Sequence, residues 1–182
     1  MNNEDIKTLA EFISGTVINK QNQYESITKK AFELFYKKQT AKFIEFYNNE
    51  VTSITGRIEA LGTFLMAVLE KENWDLKKVL KFRESISKSE NNDFIYLFDN
   101  AMFQAGANSP EEFIQSIEDG IKKQVPLAYA IKSLFYKYGL ELFESSKQAI
   151  EKAILLEPNN LKFKKMLKEL EIEKAMNDEQ DL

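Results

Sequence analysis

Histidine and cysteine are both absent from the 182 residues, so any chemistry must come from carboxylates, lysines, hydroxyls and aromatic rings. Without histidine the chain lacks the side chain that most often shuttles protons near neutral pH and most often binds transition metals. Without cysteine it has no thiolate nucleophile, no disulfide and no thiolate metal site. Paired acids occur at Glu111-Glu112, Glu118-Asp119 and Asp93 with Asp99. A di-metal carboxylate bundle would need Glu-x-x-His pairs, and the stretch Glu90 to Asp93 lacks the alternating donors and central glycine of a calcium loop. No glycine-rich phosphate loop or nucleophile elbow is present. The acids are therefore expected to cap helices and keep the surface soluble, and the chain is expected not to be an enzyme and to hold no cofactor or metal.

Lys29, Lys30, Lys37, Lys38 and Lys42 interleave with Phe32, Phe35, Tyr36, Phe43 and Tyr47, which superficially suits a nucleic-acid surface. Aromatics at helical spacing more often pack in a core, with the lysines solvated on the opposite face. Lys77, Lys78, Lys81 and Arg83 read the same way. A net charge of −4 also argues against general affinity for nucleic acid or anionic membrane. Trp74, the only tryptophan, falls in a break between helical patterns. It is either an exposed anchor for a partner or, the commoner use, a plug at the end of a helical hairpin.

The elements that would position these residues are helices. Only six Gly and three Pro stand against 14 Phe and 7 Tyr, a balance that favours long elements over a meander of strands. Ile6, Leu9, Ile13 and Val17 predict a helix over 4–19 with Asn3 as its cap. Residues 23–48 contain no Gly or Pro and predict one long helix. Its stripe is Tyr24, Ile27, Ala31, Leu34 and Phe35, widened by Phe32, Tyr36, Phe43 and Phe46, so it should touch at least two neighbours. Residues 51–71 predict the central helix. Asp75 can cap the next, over 75–88, with Leu76, Val79, Leu80, Phe82 and Ile86 inward.

A helix over 93–105 is expected to end at a left-handed Gly106. Ser109-Pro110-Glu111-Glu112 then gives the clearest start signal in the chain: a cap, a proline at the first helical position and a capping box. The remaining helices are expected over 127–138, ended by Gly139; over 142–156, stopped by Pro158; and over 161–175, capped by Asn160, with Phe163, Met166, Leu167, Leu170 and Ile172 inward. Residues 177–182 read as a frayed acidic tail. The longest nearly apolar run, Ile58 to Leu69, falls well short of the roughly 20 residues that span a bilayer, and the N-terminus carries acids where a secretory signal carries lysine or arginine. No membrane association and a cytoplasmic location are expected.

The predicted starts at Asp75, Ser109 and about Leu142 repeat with a period near 34, two helices to the period, which indicates stacked helical hairpins. Within that repeat, Gln148 to Asn160 resembles the second helix and exit of a tetratricopeptide repeat. Ala153 stands where that family has a small residue for close helix approach, Ile150 where a larger side chain packs between the helices, and Pro158 where the next unit begins. The chain departs from the pattern in the helix over 127–138, which lacks the family's Trp, Leu-Gly and Tyr positions, and at Ser146, where Ala is usual.

The reading is thus a single all-α domain over 1–182. It would comprise about nine helices: a long N-terminal helical hairpin over 1–50, then antiparallel hairpins stacked as a short TPR-like α-solenoid with a capping helix over 51–176. The resemblance implies a non-catalytic module, adaptor or scaffold, that binds a protein or peptide in a groove lined by first helices. Tyr129, Lys132, Tyr136 and Asn100 would lie there, with Trp74 as a further contact. An alternative is a small acidic inhibitor or immunity-type protein that neutralises a basic effector or nuclease through an acidic patch. A third is a homo-oligomer joined through the long helix over 23–48.

Overall fold

The structure, a computed structural model, describes residues 24–180; the helix expected over 4–19 and its Asn3 cap lie outside them. Every regular element among the described residues is a helix: α1 (Glu25–Tyr36), α2 (Thr40–Glu50), α3 (Ile54–Lys71), α4 (Lys77–Ser87), α5 (Phe94–Gln104), α6 (Pro110–Lys122), α7 (Pro126–Leu140), α8 (Phe143–Leu156) and α9 (Leu161–Gln180). The fold class is all-α. No helix among them is long and apolar enough to cross a membrane. Contacts divide the chain into two compact units, the first ending at Ile114 and the second beginning at Gln115, where the sequence reads as one domain.

In the first unit α3 is central, burying eleven of its 18 residues. Ser53 starts it, its hydroxyl accepting from the Gly56 amide at 3.0 Å. Against α3 the rings of Phe35, Phe64, Phe43 and Phe82 close a cycle, with successive centroids 5.5, 5.2, 4.9 and 4.8 Å apart. Contacts of this kind add about 0.5–1.5 kcal/mol each beyond the apolar area they bury. Phe82 comes from α4, which packs on α5 beneath Phe98.

That cycle explains why the helix expected over 23–48 is two helices. The chain turns at Lys38, whose φ is 55°, with the Gln39 amide donating to the Leu34 carbonyl and the Lys38 amide to the Phe35 carbonyl, both at 2.9 Å. This is a helix-ending motif that usually uses glycine. In a straight helix Phe35 and Phe43 would stand about 12 Å apart along the axis; the turn folds both onto Phe64 and Phe82. The need for two neighbours is met by folding the helix back.

Two tyrosine hydroxyls fix α1 on α3. Tyr24 donates to Glu59 at 3.0 Å and Tyr36 to Glu72 at 2.5 Å. The partners are 35 and 36 residues apart at opposite ends of α1, so the two helices run in the same direction. Alternate helices lying side by side and parallel is what stacked hairpins produce. Two arginines finish the unit. Arg57 donates to the Val51 and Asn48 carbonyls at 2.7 and 3.0 Å, satisfying the end of α2, and Arg83 makes a two-pronged pair with the buried Asp99 at 2.6 and 2.7 Å.

The capping box forms as expected at α6: the Ser109 amide donates to Glu112 at 2.8 Å and the Glu112 amide to the Ser109 hydroxyl at 3.2 Å. The even-numbered helices α4, α6 and α8 start at Lys77, Pro110 and Phe143, each 33 residues after the last. The odd-numbered helices do not keep that spacing.

In the second unit α7 and α8 form an antiparallel hairpin. The buried residues are mostly small: Ala128, Ala130, Ile131 and Ser133 on α7, and Ser146, Ala149, Ile150 and Ala153 on α8. Gly139 does not end α7; the helix runs to Leu140 and Glu141 takes the left-handed position, φ 52°. Asn160 caps α9 through the Lys162 amide at 2.9 Å. α9 runs antiparallel to α8, pinned by Lys147–Glu171 at 2.8 Å and by a Lys174–Glu144 pair. It buries Phe163 and Leu170 and half-buries Met166 and Leu167, while Ile172 is exposed. The helix continues to Gln180, beyond the Ala175 end expected for it.

Candidate functional site

No cluster of side chains able to hold a metal ion stands among the described residues. A groove of about 180 Å³ lies between α8 and α9, floored by Phe143, Leu170 and Ala175 and rimmed by Glu144, Lys147, Glu171 and Lys174. Each rim acid is paired with a rim lysine. The rim therefore fastens α9 and offers no acidic patch of the kind an inhibitor of a basic protein would need.

The residues expected to line a groove are not equivalent. Tyr129, Lys132 and Tyr136 share one face of α7 and are half-buried. The Tyr129 hydroxyl takes a hydrogen bond from Gln124 at 3.1 Å, and the Lys132 ammonium sits 5.5 Å from the Tyr136 ring centre. Asn100, by contrast, is buried in the first unit, its side-chain oxygen accepting from Gln104 at 3.1 Å. It packs in the core and lines no surface.

Trp74 resolves the other way. It does not plug a hairpin: its side chain is 54% exposed. Its amide closes the end of α3 on the Leu69 carbonyl at 2.7 Å; Asn73 takes the left-handed position that this closure uses, φ 51°, and Trp74 is left-handed as well, φ 63°. For a bulky residue this is a true outlier, costing about 1–3 kcal/mol. Only Trp74 and Leu80, at 48%, are large apolar side chains left exposed among the described residues of this unit.

The segment around Trp74 is organised by one ring. Because α1 lies parallel to α3, their C-terminal ends meet, and Tyr36 is placed between the residues that bracket the tryptophan. The Lys71 ammonium lies 4.5 Å from the Tyr36 ring centre and 5.3 Å from that of Phe32; Lys78 approaches Tyr36 to 5.4 Å. Glu72 accepts from the Tyr36 hydroxyl and pairs with Lys78 at 2.6 Å. Lys78 and then Tyr36 hold the Glu72 carboxyl below the usual carboxylate range, while burial and the Glu72 contact push the Tyr36 phenol up to about 12. Both groups are moved away from neutral pH, the opposite of what a general acid–base pair requires.

Lysines over aromatic faces are attracted by about 0.5–1 kcal/mol at exposed sites, which holds Lys71 and Lys78 in place over the rings. Sequence reasoning singled out Trp74, read Tyr36 as a core aromatic and did not single out Lys71. The available signal was that Lys71 and Lys78 stand seven residues apart across a helix break containing the only tryptophan. Compared with known protein families, characterised proteins and solved structures, the chain matches none.

Proposed function

We propose that the chain is a non-catalytic protein- or peptide-binding module, an adaptor or scaffold of TPR-like helical hairpins that works in the cytoplasm without a cofactor. The observation that carries this reading is the display of Trp74: a bulky aromatic held at 54% exposure on left-handed backbone. Tryptophan and tyrosine are over-represented among the residues that dominate binding energy at protein interfaces, and strained backbone held at a bulky side chain is a reason to look for a functional role there. The parallel α1–α3 register and the regular starts of α4, α6 and α8 support the hairpin-repeat part of the reading.

The test is capture from the native host with the full chain as bait, run beside Trp74→Ala. At least one protein retained by the wild type is expected to be lost from the variant while the helical circular dichroism stays unchanged. Identical sets of retained proteins would remove Trp74, and with it this reading.

A further inference from the structure

We propose that the surface around Trp74 takes an acidic peptide segment carrying apolar anchors, a proposal that rests on the binding-module reading and specifies its partner. Charge is the first reason. Residues 25–38 and 70–83 carry nine basic side chains against five acidic ones, eight against five once Arg83, paired with the buried Asp99, is set aside, in a chain whose net charge is −4. The parallel packing of α1 and α3 gathers the ends of these two stretches on one side of the unit.

The backbone at the tryptophan is placed where stability alone would not put it. The N-terminus of α4 is offset by an acid, the Asp75 carboxylate accepting from the Lys77 amide at 3.0 Å, but Trp74 stands on left-handed backbone at φ 63°, a conformation that a bulky side chain disfavours. Such a breach of local preference is expected where function overrides folding. Lys78 is engaged by Glu72. Lys71 rests on the Phe32 and Tyr36 rings near the Glu72 carboxylate, which it helps to hold ionised, but makes no close ion pair among the described residues, so an incoming carboxylate can meet its charge. Trp74 and Leu80 are the exposed large apolar side chains of these stretches.

A single-stranded nucleic acid fits less well. It would need open aromatic faces on which bases stack, and the Phe32 and Tyr36 faces carry Lys71.

Trp74 is the only tryptophan, so the intrinsic fluorescence of the full chain reads this surface directly. The probes are a short synthetic peptide of repeating Asp-Asp-Leu units, its Lys-Lys-Leu counterpart, and an oligothymidylate. The acidic peptide alone should give a saturable change that weakens with added salt and by about tenfold in Lys71→Glu. Lys71→Ala should move in the same direction should the reversal disturb folding. A fluorescein-labelled copy of the acidic peptide should no longer bind Trp74→Gly, a variant that removes the ring while easing the backbone. Equal binding to wild type and both Lys71 variants, or preference for the oligothymidylate, would overturn the proposal. If no probe binds while capture from the host still depends on Trp74, the acidic chemistry is wrong and the module reading stands. If capture ignores Trp74 as well, both fall.

Discussion

The Ser146 hydroxyl donates to the backbone carbonyl of Ser133 at 2.8 Å and lies 2.9 Å from the Ser133 hydroxyl, both residues being buried. Two helices come this close only where side chains are small, and a hydroxyl is tolerated between them because it has a partner. That accounts for serine at a position where the repeat it resembles usually has alanine. Ser146→Ala should cost about 1 kcal/mol, since it strands the Ser133 hydroxyl. The double variant Ser133→Ala/Ser146→Ala should lose less than the sum of the singles, by at least about 0.5 kcal/mol. Denaturant titration of the three variants checks this, and strict additivity would mean that the hydroxyls act independently.

What the sequence disclosed is the chemistry that acts within a few residues. The Ser109 capping box, left-handed Gly106 and the Asn160 cap all stand where spacing and residue type placed them, and Ala153 and Ile150, singled out by resemblance to a repeat, are buried. What it concealed was decided by tertiary packing. Lys38 turns the chain without glycine or proline because four phenylalanines converge only if it does. Leu80 and Ile172 sit at apolar spacing yet are exposed, since periodicity marks a face but not whether a neighbour covers it. The Arg83–Asp99 pair and the Tyr36–Lys71 contact join residues from different helices, beyond the reach of any local pattern.

Glu141 occupies a helix-ending position with φ 52° while Gly139 lies inside α7, so the glycine stands two residues before the position that needs it. Glu141→Gly should stabilise the protein by about 0.5–1 kcal/mol, because glycine adopts this backbone without steric cost. Thermal unfolding is the measurement. An unchanged or lower melting temperature would mean that the Glu141 side chain contributes more than its backbone strain costs.

Tyr47 is completely buried and its hydroxyl has no hydrogen-bond partner among the described residues. A buried hydroxyl left unpaired costs about 1–3 kcal/mol, while the ring itself packs 4.9 Å from Phe43. Tyr47→Phe keeps the ring contact and removes the unpaired group. It should leave stability unchanged or raise it by about 1 kcal/mol, measured in denaturant, and a clear loss would show that the hydroxyl is bonded in solution.

Tyr24 and Tyr36 titrate differently from ordinary tyrosines: burial and the neighbouring Glu59 and Glu72 move each phenol from 10 up to about 12. A pKa raised by folding gives stability that is complete below the unfolded value and lost as pH rises through the folded one. Both tyrosines should therefore help hold α1 on α3 up to about pH 10 and progressively fail to do so between pH 10 and 12. Unfolding midpoints of the wild type should fall across that window, and Tyr24→Phe/Tyr36→Phe, which has no phenol to ionise at either end of α1, should fall less steeply. If the two proteins lose stability in parallel from pH 10 upward, some other group governs the alkaline limit and the two hydroxyls do not fasten the helices.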